Sequence, residues 1–383
     1  MNKLPSDWQI KTLNEVCFPS SSNIAYKDVK DKKGNYPIFG ASGIVAYADF
    51  YSKEKECLGI VKDGSVGKIF LLPAKSSVIS TLNYLENTDL SDIKYLYYFL
   101  HRINFSKYIK GSVIPHIYFR DYKKEKIPLP PLATQKQIAK KLDYLFDKMD
   151  KALTFLKENK EYIKKYRLSI LKYAFDGKLT PSSKNWEIKT LNEVCNIYTG
   201  NSINKKKKEE NFIGLKEGLN YIGTKDISFN NIIEYENGVK IPFKDLKDFK
   251  IAKSNTSLLC IEGGSAGRKI GFTNQDVCFG NKLCCFEAIE DEPKFIYFYL
   301  QSNNFLREFN LNISGLIGGI SKEKIKRIKI PIPPIETQKE IVSILDKSFK
   351  SMDEIERLNN ENINNLLLLK KSLLKEAFSG RLI

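Results

Sequence analysis

The chain of 383 residues is long enough for two or three domains, and it carries a formal net charge of +17. That charge favours polyanionic partners, nucleic acid ahead of an acidic membrane surface. The seven cysteines form no CxxC pair and there are only two histidines, which disfavours a zinc site and a disulfide framework. The N-terminus lacks a signal-peptide core, and no apolar run reaches the roughly 20 residues of a transmembrane helix. We therefore expect a cytoplasmic protein without membrane contact.

Residues 1–132 are predicted to form a globular domain of short strands and helices, here called the first domain. Its alternating apolar residues are interrupted by glycine-containing turns, which is typical of hairpins. The predicted elements are a strand and helix at 8–17, a loop at 19–35, strands within 36–51 and 57–72, a helix at 94–104, a loop at 111–116 and a polar turn at 121–126.

Residues 133–177 are predicted to form one long helix that pairs with another helix. Apolar residues recur there at alternating steps of four and three, the heptad spacing of a coiled coil. A helix of this length extends roughly 65 Å at 1.5 Å per residue, more than most globular cores accommodate. The predicted seam residues are Ile138, Leu142, Leu145, Met149, Ala152, Leu156, Ile163, Tyr166, Ile170 and Tyr173, with Asn159 as a polar member.

The second half of the chain repeats the first. WQIKTLNEVC at 8–17 returns as WEIKTLNEVC at 186–195, and IPLPP at 127–131 returns as IPIPP at 330–334. The offset is 203 residues from Ile127 to Ile330 and again from Phe175 to Phe378. After a linker at 178–185, this predicts a second domain at 186–335 and a second long helix at 336–380. The matching seam residues are Ile341, Leu345, Met352, Ile355, Leu366, Leu369 and Leu373.

No catalytic or nucleotide-binding motif is recognisable. Gly64, Gly67 and Lys68 lack the spacing of a phosphate-binding loop, and Ile69 stands where its Ser or Thr is required. Neither His101 nor His116 lies near a nucleophile motif, and the second half has no histidine at either place. We therefore predict a binding protein with no catalytic residue and no metal site.

The repeated segments resemble the specificity subunits of Type I restriction–modification systems. The resemblance rests on the two WxIKTLNEVC segments, on IPLPPLATQKQIAKKLD and IPIPPIETQKEIVSILD, and on the helix ends LSILKYAFDGKL and KSLLKEAFSGRL. It covers essentially the whole chain. It implies an α+β fold in which two tandem α/β target-recognition domains are separated by two long antiparallel helices in a coiled coil, as a pseudo-two-fold repeat.

The resemblance also implies the partners. A specificity subunit binds double-stranded DNA, each domain reading one half of a gapped target while the helices set the gap. It has no activity or cofactor of its own and docks two adenine methyltransferase subunits that use S-adenosylmethionine. Full systems add two restriction subunits that use ATP and magnesium. We expect the methyltransferase contacts on the exposed faces of the long helices and around Trp8 and Trp186, with a place in the domain core as the alternative for either tryptophan.

Candidate DNA contacts are polar and basic residues on predicted loops. Lysine and arginine suit guanine and phosphate, asparagine suits adenine, and hydroxyl groups suit any base, although phosphate contacts usually outnumber base contacts. The candidates in the first domain are Ser42, Lys62, Ser65, Lys68 and His116. Those in the second domain are Lys225, Ser265, Arg268, Lys269 and Asn281, with Lys205, Lys206, Lys207 and Lys208 as phosphate contacts.

Two other functions stay open at this stage. An unrecognised nuclease or methyltransferase predicts activity on DNA, or cofactor binding, by this chain alone. A coiled-coil scaffold with incidental basic charge predicts no sequence-dependent DNA binding even with a methyltransferase present.

Overall fold

The computed structural model describes residues 4–181, 186–313 and 318–383. The chain divides into two compact units, Met1–Lys157 with Asn359–Ile383, and Glu158–Leu358. Each unit therefore combines one globular domain with parts of both long helices. The predicted linker at 178–185 lies partly outside the described residues, as do residues 314–317 of the second domain.

The first domain contains three sheets. One is a four-stranded antiparallel sheet in the order β2-β8-β5-β6, and another is a three-stranded sheet, β4-β3-β7, in which β3 and β7 run parallel. Strands β1 and β9 form a third, antiparallel sheet. The elements are β1 Gln9–Thr12, α1 Leu13–Val16, β2 Cys17–Ser21, β3 Tyr36–Gly40, β4 Gly43–Ala48, β5 Cys57–Val61, β6 Ile69–Leu72, β7 Ser77–Val78, β8 Leu82–Asn87, α2 Ile93–Leu100, α3 Phe119–Tyr122, β9 Lys126–Leu129 and the long helix α4 Leu132–Phe175.

The second domain repeats this topology with additions. Its sheets have the orders β11-β18-β15-β16, β13-β12-β17-β14 and β10-β19, and β12 pairs with β17 in parallel as β3 does with β7. The elements are β10 Glu187–Thr190, α5 Leu191–Val194, β11 Cys195–Thr199, α6 Lys205–Asn211, β12 Leu219–Ile222, β13 Lys240–Ile241, β14 Ile251–Ala252, β15 Ser257–Cys260, β16 Ile270–Phe272, β17 Val277–Phe279, β18 Leu283–Ala288, α7 Pro293–Tyr299, α8 Asn303–Leu311, α9 Lys322–Lys326, β19 Lys329–Ile332 and the long helix α10 Ile335–Ala377.

The repeated WxIKTLNEVC segment forms the predicted strand and helix in both halves. A glutamate in the first turn accepts a hydrogen bond from the backbone N–H of the preceding threonine, at 2.7 Å in Thr12–Glu15 and in Thr190–Glu193. This arrangement satisfies one of the N–H groups left unpaired at a helix start. Hydrogen bonds from Thr12 lower the pKa of Glu15 to about 2.

Two proline-containing segments that were not predicted as strands form strands. Residues 17–21 form β2, which pairs with β8, although 19–35 was predicted as a loop. The proline-rich segment forms β9, in which Pro128 lies opposite Ile10 of β1. Both strands lie at sheet edges, where a proline removes no hydrogen bond needed by a neighbour. Because proline is unusual within strands, the sequence pattern did not predict these two edge strands.

Each domain core is completed by an aromatic residue at the end of a long helix. In the first unit, the ring of Phe378 lies 4.8 Å from that of Tyr95 and 5.3 Å from that of Phe99. In the second unit, Phe175 lies 5.1 Å from Phe295 and 5.3 Å from Tyr299. The helix that begins in one repeat thus ends in the core of the other unit.

The two long helices run antiparallel within each unit, as predicted. In the first unit, Lys141 donates to the carbonyl of Leu382 at 2.7 Å, and Asp150 forms an ion pair with Lys370. In the second unit, Lys160 pairs with Glu356 at 3.7 Å and Arg167 pairs with Asp353. Rising numbers on α4 meet falling numbers on α10 in both units, which defines antiparallel pairing.

The predicted seam is largely buried. The buried members are Ile138, Leu142, Met149, Ile163, Ile170, Ile341, Leu345 and Met352, and the half-buried members include Leu145, Leu156, Leu366 and Leu373.

Four seam predictions are wrong. Ile355 and Leu369 are 43% and 48% exposed, and Tyr166 and Tyr173 are 58% and 55% exposed. A straight helix with 3.6 residues per turn drifts by about 20° per heptad from a strict seven-residue repeat. Buried positions therefore shift to neighbouring residues, among them Leu171, Ala174 and Leu374.

Glycines end both long helices, as the GKL and GRL segments predict. Gly177 and Gly380 have φ values of 69° and 75°, the left-handed conformation that terminates a helix.

Candidate DNA interface

Three loops of the first domain meet beside the β5–β6 turn. The N–H of Gly64 donates to the carbonyl of Pro115 at 2.8 Å, and the N–H of Ile117 donates to the carbonyl of Lys62 at 2.9 Å. Lys68, at the end of the turn, donates from Nζ to the carbonyl of Ala41 in the β3–β4 turn at 3.3 Å. The fold therefore gathers segments that are up to 76 residues apart in sequence, from Ala41 to Ile117.

All five predicted residues of the first domain lie in this group of loops. Ser42, Ser65 and Lys68 are exposed, and Lys62 and His116 are half-buried. His116 pairs with Asp63 across a β-bridge, which fixes its backbone beside the turn. Two hydroxyl groups, two lysines and an imidazole thus share one surface, a composition suited to phosphate and base contacts.

The second domain builds the same surface from equivalent backbone bonds. The N–H of Gly263 donates to the carbonyl of Gly318 at 2.8 Å, and the N–H of Ile320 donates to the carbonyl of Ile261 at 3.1 Å. Glu262 bridges to Gly319 as Asp63 bridges to His116, so Gly319 occupies the place of the histidine. The scaffold is shared, whereas the side chains it presents differ.

Most predicted residues of the second domain lie on this surface. Lys269 donates from Nζ to the carbonyl of Thr224 at 3.0 Å, which brings the β15–β16 loop to the segment containing Lys225. Arg268 is exposed and Ser265 is half-buried in the same loop. Asn281 is exposed in a turn next to Lys282, whose carbonyl accepts from the N–H of Ile261 at 3.0 Å.

The run of lysines from Lys205 to Lys208 begins the short helix α6. The side chains of Lys205 and Lys206 are 90% and 85% exposed, and they lie 3.8 Å and 3.9 Å from Glu209 and Glu210. Lys207 is also exposed, whereas Lys208 is half-buried. Burial, and secondly the nearby charge of Lys225, lower the pKa of Lys208. Lysines 205 to 207 are therefore the members of this run available to phosphate.

Exposed aromatic rings lie beside both surfaces and were not predicted from the sequence. In the first domain the guanidinium carbon of Arg120 lies 4.6 Å from the centroid of the Tyr118 ring. In the second domain Arg268 and Lys269 lie 5.5 Å and 4.9 Å from the Phe229 ring. Each ring therefore makes cation–π contacts with basic side chains, next to a loop that carries predicted DNA contacts.

A buried glutamine fixes each domain to its long helix. In the first unit, Gln135 accepts from the N–H of Asp92 at 2.8 Å and donates to the carbonyls of Leu90 and Pro130 at 3.0 Å and 2.9 Å. Gln338 accepts from the N–H of Glu292 at 2.9 Å in the same way.

Each glutamine is 1% exposed. These residues are the Gln of the repeated PLPP and PIPP motifs, so that motif holds a domain against a helix.

The described residues contain no group of three or more His, Cys, Asp or Glu side chains placed to hold a metal ion. Within the same residues, no helix is both long and apolar enough to span a membrane.

The family model for the Type I restriction modification DNA specificity domain matches the chain twice, at residues 5–165 and 183–365. The chain belongs to this specificity family. The two matches coincide with the two structural repeats, so each repeat is one specificity domain with its helix.

Curated relatives include two specificity subunits that match over most of their length. The Type I restriction enzyme EcoDI specificity subunit of Escherichia coli is 22% identical over 99% of this chain and 90% of its own. The MjaVIII specificity subunit of Methanocaldococcus jannaschii is 25% identical over 99% of this chain and 94% of its own.

Solved structures share the fold. A chain from a study of complex assembly and conformational transition in a type I restriction–modification system superposes with a TM-score of 0.76 at 18% identity, over 100% of both chains. The HsdS subunit of Thermoanaerobacter tengcongensis gives a TM-score of 0.58 at 19% identity, over 99% of this chain and 98% of its own. The predicted α+β architecture of two domains and two long helices is confirmed.

Proposed function

We propose that this specificity subunit reads the two halves of a gapped DNA target, one with each domain. The observation that carries the proposal is the pair of equivalent loop surfaces, which share their backbone bonds but differ in side chains. His116 stands in one surface where Gly319 stands in the other, and the second domain carries in addition the lysines of α6. Different side chains on one scaffold are what two different half-sites require.

The position of the basic residues favours a DNA partner over a basic charge that has no role in binding. Lys62, Lys68, Lys225, Arg268 and Lys269 lie on the gathered loops, where lysine and arginine neutralise phosphates and read guanine. The chain would bind DNA with an affinity that falls steeply as salt concentration rises.

We further propose that two adenine methyltransferase subunits dock on repeated faces of this chain. Two identical partners need two equivalent surfaces, and exposed apolar residues do recur at equivalent positions. Ile10 and Ile188 are 51% and 63% exposed, and Phe155 and Leu358 are 69% and 43% exposed. Single exposed apolar residues are common on protein surfaces, so the support comes from their recurrence at equivalent positions of the two repeats. Catalysis, S-adenosylmethionine, and in full systems ATP, magnesium and two restriction subunits, then belong to the partners.

An open groove in the second unit supports helix-mediated docking. It has a volume of about 690 Å³ and lies between α4 and α10, with Tyr162, Tyr166, Met352 and Ile355 in its lining. Tyr166 and Ile355 are exposed in this groove. They provide the mixture of polar and apolar surface that is expected where a partner helix packs.

Adenine-methylation mapping tests the proposal. Genomic DNA from cells with and without this gene is compared, and the gene is expected to be required for methylation at one bipartite, gapped motif. Restoring the gene on a plasmid should restore the motif, and restoring the methyltransferase gene alone should not. Methylation that persists at the same motif without this chain would refute the proposal.

A further inference from the structure

Two outward-facing rings, those of His116 and Tyr118, are neighbours on the first-domain surface. Ile117 is 1% exposed, and the neighbours of a buried residue in an extended segment point the opposite way. The rings of His116 and Tyr118 lie 5.2 Å apart, and Tyr118 is 38% exposed. Arg120 follows in the short helix α3, and its guanidinium carbon lies 4.6 Å from the centroid of the Tyr118 ring, so Arg120 adjoins the loops beside the β5–β6 turn.

The guanidinium of Arg120 is stacked on Tyr118 and has no acidic partner in the described parts of the chain. The neighbouring Asp121 is instead paired with Lys110 at 3.0 Å. A guanidinium lying on an aromatic ring gains a cation–π attraction and keeps its N–H donors at the edge. The Tyr118 ring thus holds Arg120 in one plane with its donors available to a ligand.

Of the arginines in the first domain, Arg120 is the one that is available to contact DNA. The domain contains two arginines, Arg102 and Arg120. Arg102 is stacked over the Phe378 ring at 5.2 Å, and burial lowers the pKa of Arg102. Arg102 therefore belongs to the packing of the first unit, whereas Arg120 is exposed.

The second domain reaches the same arrangement from different sequence positions. Phe229 is 61% exposed and carries Arg268 and Lys269 beside the β15–β16 loop. An aromatic ring that holds an arginine at the loop cluster is thus present in both domains, although Tyr118 and Phe229 lie in different loops. This recurrence points to a shared task for the two rings.

We propose that Arg120, positioned by Tyr118, contacts a guanine in the half-site read by the first domain, and that Arg268 on Phe229 does the same in the second. Arginine is suited to this contact because its planar fork matches the O6 and N7 acceptors of guanine in the major groove. This inference rests on the proposed reading of DNA and adds the base and the residue that reads it.

The test uses the full chain assembled with its methyltransferase and duplexes that carry the mapped motif. Each guanine of the first half-site is replaced in turn by 7-deazaguanine, which lacks the N7 acceptor. One position should weaken binding by the wild-type complex about tenfold or more. With Arg120→Ala, that substitution should no longer change the affinity.

The substitutions Tyr118→Phe and Tyr118→Leu distinguish a role of this ring in positioning Arg120 from a role in folding. Tyr118→Phe keeps the ring and should keep the 7-deazaguanine effect, whereas Tyr118→Leu should reduce it at an unchanged melting temperature. Arg307→Lys is the matched control, because Arg307 is an exposed arginine that lies 3.7 Å from the adjacent Glu308. That control should leave the effect in place.

Three results would overturn the inference. The first half-site contains no guanine, the 7-deazaguanine effect persists in Arg120→Ala, or Arg120→Ala weakens all duplexes equally with a salt dependence lower by about one charge, the mark of a phosphate contact. Failure of the proposed function gives a different result, because the wild-type complex then binds the mapped motif no better than unrelated DNA.

Discussion

At the residue scale, single side chains differ between the repeats while their backbone setting is the same. His116 and Gly319 occupy equivalent places beside the same bridge, and Lys68 and Lys269 both donate to a backbone carbonyl of a neighbouring loop. Backbone bonds fix where each side chain stands, so a substitution changes chemistry without moving the loop. We therefore expect that each surface can change its target independently.

The cysteines provide a residue-scale prediction. All seven are buried and unpaired, and burial raises the pKa of Cys17, Cys57 and Cys278 to about 12. Only the thiolate form of a cysteine reacts, and these pKa values lie about three units above the usual value for cysteine. At pH 8 each of these thiols therefore has roughly a thousandfold less thiolate than an exposed cysteine.

We expect a thiol reagent to label fewer than one cysteine per native chain at pH 8, in the time it labels all seven in guanidinium. Labelling of several cysteines at the unfolded rate would show that the cores are open. Raising the pH toward 11 should increase native labelling, since the thiolate fraction grows as the pH approaches the raised pKa.

At the element scale, the long helices are attached to the domains through repeated polar contacts. Lys94 pairs with Asp143 at 2.7 Å, and the equivalent Lys294 pairs with Asp346 at 2.5 Å. These pairs are partly exposed and contribute little by themselves. The buried glutamines matter more, because unsatisfied buried polar groups are costly.

The glutamine contacts give an element-scale prediction. Gln135→Leu should lower the free energy of unfolding of the first unit by about 1–3 kcal/mol, because it leaves the N–H of Asp92 and two carbonyls without their partner. Urea unfolding measures the change. Gln137→Leu on the same helix is the matched control, since Gln137 is exposed, and should change the free energy by less than about 0.5 kcal/mol. Equal effects of the two substitutions would contradict the role of Gln135.

At the scale of the whole molecule, each compact unit is assembled from segments that are distant in sequence. The first unit ends with Asn359–Ile383, whose Leu374, Ala377 and Phe378 are buried in the core of the first domain. The second unit takes in the end of α4, with Ile170, Leu171 and Phe175. Neither domain therefore has a complete core without the helix end contributed by the other repeat.

Domain exchange is the whole-molecule prediction. Replacing residues 19–126 with the corresponding segment of another specificity subunit should change one half of the methylated motif and keep the other half and the gap. Tyr95 and Phe99 must be retained in the inserted segment, because they contact Phe378. Motif mapping by adenine methylation is the measurement, and a change in both halves would contradict independent reading.

Truncation after residue 358 is the control for this experiment. It removes Leu374, Ala377 and Phe378 from the first core, and burying three fewer apolar side chains is expected to destabilise the first domain by several kcal/mol. Loss of methylation at the whole motif should follow, in contrast to the selective change in the exchanged protein.

The sequence by itself determined the duplication, the two long helices, the turn-joined strands and the loops that carry the charge. Repetition at constant offset and heptad spacing are local patterns, and local patterns survive in a linear chain. It also led to most of the predicted DNA residues, because basic and hydroxyl side chains at glycine turns mark exposed loops.

Only the tertiary structure decided which seam residues are buried, that the proline-rich segments are edge strands, and that Arg120 and Phe229 lie beside the predicted DNA loops. Helix drift moves Leu369 out of the interface, Ile355 lies exposed in the groove between the helices, and strand pairing joins Pro128 to Ile10 across the domain. Arg120 stacks on Tyr118, two residues before it, whereas Arg268 stacks on Phe229, some 40 residues away. The Phe229 contact and the strand pairing join residues distant in sequence, and a one-dimensional pattern carries no record of which distant side chains meet.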